Sequence, residues 1–238
     1  MKIIRIIKNI LKQLFRTLKV ENPTKLKEFS EMSYWEKRKN IEGILSNFHY
    51  EYFYTDHFHI EKSSYDGKVL MDIGCGPRGS LEWASNAKRR IGLDPLASKY
   101  LNELGANKHN MEYISSGSEN IPLKDCYCDY IFSFNSIDHV ENFNDTVKEI
   151  KRCIAHNGIF LLLVEVNHPP TSCEPHTLSP KDILDSFAPE FKAESVQVFK
   201  PDVTGLYDSI KINKKFKDPE NCEEIGWFSA KFICKEND

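Results

Sequence analysis

The stretch Lys68–Ser80, K-V-L-M-D-I-G-C-G-P-R-G-S, constrains the fold of this chain more tightly than any other. Val69, Leu70 and Met71 have the composition of a short buried strand. Asp72 follows, then glycines at 74, 76 and 79, then the helix-compatible run Leu81-Glu82-Trp83-Ala84. Strand, glycine-rich turn and helix start are the layout of a nucleotide or nucleoside site in an α/β sheet. Gly74 and Gly76 permit sharp backbone geometry and close approach of a ligand. Free N–H groups at the following helix start favour a negative group. The spacing also fits G-x-G-x-x-G, which alone says little. A tight structural turn is the alternative reading of the same residues.

Around this stretch strands alternate with helices. Strands are expected at Val69–Ile73, Arg90–Asp94, Met111–Ile114, Asp129–Phe134 and Ile159–Val166. Helices are expected at Ser80–Ala87, Ala97–Leu104, Phe143–Ile154 and Pro180–Phe187, the second stopped by Gly105. That alternation implies a parallel sheet with right-handed crossovers. Ser195–Phe199 and Trp227–Cys234 alternate in apolarity and are expected to finish the sheet as a hairpin. The 238 residues suffice for one sizeable α/β domain with small additions.

The net charge of −3 does not mark the whole chain as a nucleic-acid binder. The charge is uneven: residues 1–20 hold six basic side chains and no acidic one. Apolar and basic residues both recur there at three- and four-residue spacing, giving a basic amphipathic helix. Cations in every turn argue against a signal peptide or a membrane span. The segment is read either as an interfacial helix on an anionic inner-membrane surface or as a helix docking on its own domain or on a second copy. The seven scattered cysteines, with no CxxC pair, suit free thiols in a reducing cytosol. Residues 21–40 read as a polar linker into a short helix around Tyr34–Arg38. The aromatic run from Phe48 to Phe58 reads as a ligand-covering lid, as packing on the sheet, or as both. The division is then residues 1–20 as the basic helix, 21–65 as a helical and aromatic cap, and 66–238 as the main domain.

Four motifs, D-I-G-C-G at 72–76, G-L-D-P at 92–95, S-E-N-I-P-L at 118–123 and D-Y-I-F-S-F-N-S-I-D-H-V at 129–140, occur in this order. Together they resemble the class I S-adenosylmethionine-dependent methyltransferases, closely over Lys68–Val166. The resemblance implies a Rossmann-like, seven-stranded, mostly parallel sheet of order 3-2-1-4-5-7-6, strand 7 antiparallel, with helices on both faces. It implies S-adenosylmethionine as cofactor. Asp94, followed by Pro95, would accept from both ribose hydroxyls. Asp72, Gly74 and Gly76 would face the methionine end. Ser133 to Asn135, Phe134 included, would line the methionine moiety, and Ser118 and Glu119 would edge the adenine. Many relatives carry an acid where this chain has Gly117, so Ser118 or a main-chain group is left to make that contact. A nicotinamide dehydrogenase would use the same glycines and acid, but the segments at 118–123 and 129–140 fit it poorly.

Methyl transfer is an in-line displacement in which orientation and water exclusion matter most. A hydroxyl acceptor must also lose a proton. His139, with Asp138 beside it and Glu141 near, is the candidate base past the fourth strand; packing of the loop is the alternative role. The loop after strand five offers Glu165, Asn167, His168, Glu174 and His176 as substrate contacts, stiffened by three prolines. Tyr54 and His57 of the aromatic run join them. His168, Glu174 and His176 meet no metal-ligand spacing, so no metal is expected. The expected acceptor is a small polar molecule, with a sugar or sugar-nucleotide hydroxyl first and a small amine next. A non-catalytic cofactor-binding subunit is the other class of reading, and a homodimer and inner-membrane contact are the expected associations of an otherwise cytoplasmic protein.

Overall fold

The computed structural model of the protein describes residues 23–171 and 173–236. The basic stretch 1–20 lies outside them. Seven strands form one sheet: β1 Val69–Ile73, β2 Arg89–Leu93, β3 Glu112–Ile114, β4 Cys128–Phe134, β5 Ile154–Val166, β6 Phe191–Phe199 and β7 Gly226–Cys234. Their order is β3-β2-β1-β4-β5-β7-β6. β7 runs antiparallel to both β5 and β6, and the pairs from β3 to β5 are parallel. Four helices of seven residues or more are named here: α1 Pro23–Glu42, α2 Phe143–Cys153, α3 Pro180–Phe187 and α4 Leu206–Ile212.

Strand alternation sends successive side chains to opposite faces. Val69, Met71 and Ile73 of β1 join the core beneath α2 and α3, with Ile150, Ile183 and Phe187. Leu70 belongs to the other core, with Phe132, Leu161 and Leu163 below an aromatic layer of Phe53, Tyr54, Tyr65 and Trp83. Asp72 shares that second face two residues on. Local chemistry sets the helix starts. Asn142 accepts from the Asp145 amide ahead of α2 at 3.1 Å. Ser179 and Asp182 form a reciprocal capping box ahead of α3, whose first residue is Pro180.

Several elements differ from the sequence expectation. Ser80–Ala87 is not a helix but a series of turns, in which Glu82, Ala84 and Ala87 bond back three residues. No helix start therefore follows the glycines. Trp83 and Leu81 are instead buried in the aromatic core, and their packing overrides local helix preference. The turn at Ala97–Lys99 continues as a π-helix to Leu104 before Gly105. β5 begins at Ile154, five residues early, with a register break opposite Cys128–Tyr130. Residues 21–40 hold no linker among those described: α1 is a twenty-residue helix. The segment from Phe48 to Phe58 folds as three short helical turns with Phe53, Tyr54 and Phe58 packed inward on the sheet. No helix among the described residues is long and apolar enough to cross a membrane.

The turn after β1 is fixed by contact with the loop after β4. Gly74 has φ +68°, and a Cβ built there would lie 2.3 Å from Ser136 Cβ. Ser136 Oγ in turn donates to the Ile73 carbonyl at 2.7 Å. Gly74→Ala should therefore lower unfolding free energy by about 2–4 kcal/mol in urea titration, combining overpacking and left-handed strain. Adding Ser136→Gly should recover part of that loss, because it removes the clash and leaves the strain and the lost Ser136–Ile73 hydrogen bond.

Candidate active site

Two carboxylates stand at the tips of adjacent strands. Asp72 lies in β1 and Asp94 directly follows β2, and both are buried. Neither has an ion-pair partner among the described residues. The Tyr54 hydroxyl donates to Asp72 Oδ2 at 3.1 Å. Asp94 accepts from the Gly76 amide at 3.2 Å and from the Leu96 amide at 2.9 Å. Burial pushes the Asp72 carboxyl up to about 7; the Tyr54 hydrogen bond opposes this and the Asp94 charge adds to it. Burial likewise pushes Asp94 up to about 6, against the pull of the two amides. Between them runs the Gly74–Gly76 turn, and the Asp94–Gly76 bond ties it to the tip of β2.

The loop leaving β4 supplies the second half of the site. Asn135 is exposed, in a left-handed conformation at φ 56°, and its amide donates to the Leu163 carbonyl. Ser136 backs Gly74, and a single 3-10 turn over Ile137–His139 then presents Asp138 and His139. The loop after β5 meets them. His139 Nε2 lies 3.8 Å from Asp138 Oδ1 and 3.6 Å from Glu174 Oε1. His168 Nε2 lies 3.6 Å from Asp138 Oδ2. Asp138 is only 1% exposed, and burial raises its pKa against the opposing pull of His139. Glu165 is half-buried near this group, its carboxyl also raised by burial. Asp138, His139, His168 and Glu174, picked from sequence on two separate loops, therefore converge.

Other sequence candidates do not reach this site. Tyr54 is buried and supports Asp72, so it is a positioning group and not a substrate contact. His57 bonds Ser229 on β7 at 2.7 Å, lines a cavity over the middle of β6 and β7, and is pushed down to about 4 by burial. Ser118 Oγ turns inward to Thr146 Oγ1 at 2.8 Å, which removes its side chain from the adenine edge. Glu119 accepts from the amides of Glu141 and Asn142, pinning the approach to α2. Asn167 gives its amide hydrogens to the Cys222 and Glu224 carbonyls. His176 Nε2 bonds the Val140 carbonyl at 2.9 Å and anchors its loop. Phe134 packs its ring 4.6 Å from that of Tyr54, and the Pro95 carbonyl accepts from Ser115.

Sequence reasoning missed the contribution of α1. Trp35 covers the glycine turn: a Cβ on Gly76 would lie 3.2 Å from its ring. Trp35 Nε1 donates to Glu31 at 2.8 Å, and Arg78 sits over the Trp35 ring and pairs with Glu42 at 2.7 Å. Lys27 donates to the His139 carbonyl. Met32 packs with Tyr100, Leu104 and Ala106. Thus α1 roofs both the glycine turn and the polar loop. The available signal was Met32 and Trp35 at helical spacing, obscured by a polar composition throughout. Ser136 was also missed, because nothing local marks a serine that packs on a glycine sixty-two positions earlier.

Residues 71–162 match the family described as methyltransferase domain. An uncharacterized protein of Methanocaldococcus jannaschii is 31% identical over 106 residues, covering 44% of this chain and 40% of that protein. The malonyl-[acyl-carrier protein] O-methyltransferase of a Marinomonas species is 32% identical over 112 residues, covering 44% of this chain and 41% of the relative. The matched region thus spans about two fifths of the length of these curated relatives. Among solved structures, an S-adenosylmethionine dependent methyltransferase from Mesorhizobium loti superposes with a TM-score of 0.56 at 16% identity, covering 71% of this chain and 92% of that one. A geranyl diphosphate C-methyltransferase from Streptomyces coelicolor gives 0.52 at 15% identity, covering 70% and 72%. These two likenesses concern the fold. Residues 71–162 are thus similar to a methyltransferase domain, and the sheet has the strand order that the sequence resemblance implied.

The two carboxylates fit that cofactor. It offers a ribose diol, an ammonium and a sulfonium, and they are buried carboxyls with no ion-pair partner among the described residues. Their burial also sets a pH dependence. Asp72 is displaced upward on folding, so its contribution favours the fold below about pH 4 and is lost as pH rises through about 7. Asp72→Asn should flatten this fall in the ligand-free protein. Between pH 4 and pH 8 the stability difference between variant and wild type should grow by a few kcal/mol, at about 1.4 kcal/mol per unit of displacement. Chemical denaturation across that range measures it.

Proposed function

We propose that this protein transfers the methyl group of S-adenosylmethionine to a small polar acceptor, with a sugar or sugar-nucleotide hydroxyl as the leading class. The observation that carries the reading is the unpaired, buried Asp72–Asp94 couple flanking the glycine turn. The cofactor supplies an activated methyl group on a cationic sulfur. Asp94 is placed to accept from the ribose hydroxyls, and the charge of Asp72, steadied by Tyr54, attracts the ammonium. The polar group around Asp138 and His139 lies on the loop that backs the glycine turn, on the acceptor side. It is suited to a hydroxyl, whose proton must leave as the new bond forms. The roof made by α1, with Lys27 bonded at His139, favours a small acceptor over a polymer.

An amine acceptor would need less help with its proton, and a non-catalytic binding subunit would need none. Calorimetry with S-adenosylhomocysteine, followed by detection of that product across pools of sugar, nucleotide-sugar and amine acceptors, separates the three. Binding with no turnover on any pool supports the subunit; absence of binding overturns the proposal.

Asp94→Asn should weaken S-adenosylhomocysteine binding by about tenfold to a hundredfold, the loss of charge-assisted hydrogen bonds. The product should also change the intrinsic fluorescence of the protein through Trp35, which lies against Gly76. Trp35→Phe should remove most of that change and leave the signals of Trp83 and Trp227.

A further inference from the structure

We infer that Asp138, His139 and Glu174 form a binding site for a divalent transition-metal ion, of the zinc, manganese or iron(II) kind. One ligand atom from each of the three residues lies within 4.8 Å of the others. The separations from His139 Nε2, 3.8 Å and 3.6 Å, exceed a hydrogen bond. They approach the spacing of about 3.3–3.6 Å between ligand atoms of a tetrahedral ion with bonds of about 2.0–2.2 Å. Asp138 Oδ1 and His139 Nε2 are buried and unpartnered among the described residues. Buried polar atoms left without partners are costly, so two of them facing each other from neighbouring residues point to a ligand.

His168 strengthens the argument from the opposite side of Asp138. Its Nδ1 lies 3.0 Å from the Pro169 carbonyl oxygen, which only accepts, so Nδ1 carries a hydrogen. Its Nε2 is also buried and unpartnered, and faces the second Asp138 oxygen at 3.6 Å. A histidine that gives one ring N–H to a main-chain carbonyl and leaves the other nitrogen free has the arrangement of metal-ligating imidazoles. His168 is therefore the nearest further donor if the loops close slightly. The mixed imidazole and carboxylate set suits borderline metals better than magnesium. His139 and Glu174 side chains keep 26% and 31% exposure, leaving positions open to an outside oxygen. Sequence spacing concealed the set, because its members lie on two loops thirty-five residues apart.

An ion held there would lower the pKa of an acceptor hydroxyl, whose proton would pass to solvent water as the new oxygen–methyl bond forms and the sulfur–methyl bond of the cofactor breaks, with His139 as a ligand in place of a base. That role rests on the methyl-transfer reading; the site itself does not. The test titrates metal-stripped, untagged full-length protein with Co2+, following its visible d–d absorption, and measures S-adenosylhomocysteine binding separately by calorimetry. The expected result is one equivalent of Co2+, with affinity lowered about tenfold or more by Glu174→Gln and by His139→Ala. Glu174 is a third exposed, so its variant keeps the test meaningful if the His139 variant fails to fold. No Co2+ uptake, or uptake indifferent to both substitutions as cysteine binding would be, overturns the proposal. Co2+ bound as expected without S-adenosylhomocysteine binding sinks only the methyl-transfer reading.

Discussion

The turn after β1 and the loop after β4 interlock, and the rest of the site depends on that interlock. Gly74 has no Cβ because Ser136 stands where one would be. The Ser136 hydroxyl, held by Ser133 at 2.7 Å, reaches back to the Ile73 carbonyl. One small contact thereby sets the position of the glycine turn relative to Asp138 and His139, which follow two and three residues later. The carboxylate half and the imidazole half of the site are built by strands that pair directly. Their spacing is fixed by the sheet and by this seam.

Burying acids without counter-cations is expensive, and it occurs here twice on neighbouring strands. Hydrogen bonds from Tyr54 and from the Gly76 and Leu96 amides soften the cost without removing it. An arrangement that raises both carboxyls toward neutrality in the empty protein is a store of binding energy for a cationic partner. The aromatic layer serves the same end: Tyr54 stands 5.0 Å from Phe132 and 5.3 Å from Trp83, so its hydroxyl has little freedom to leave Asp72.

Much of the sheet was legible because its strands are short apolar runs with sharp boundaries. Val69–Ile73 and Pro180–Phe187 emerged with the expected limits, the first bounded by glycines and the second by a proline and a capping serine. Ser80–Ala87 misled, because helix-compatible residues were recruited into the aromatic core as turns. α1 was hidden by its charge, since its apolar contacts are few, Met32 and Trp35 among them, and stand within a polar sequence. Candidate residues that the motifs place at strand ends, Asp72, Asp94, Asp138 and His139, do stand at one edge of the sheet, where their roles are a matter for the proposal above. Candidates were misread where a polar side chain serves the backbone, as with Glu119, Asn167 and His176. Sequence alone does not distinguish a carboxylate awaiting a ligand from one satisfying two amides.

α1 has a mechanical implication. It sets Trp35 against the glycine turn and Lys27 on the carbonyl of His139, so one helix touches both halves of the site. A substitution that loosens this helix would reach both loops together, although they leave different strands of the sheet.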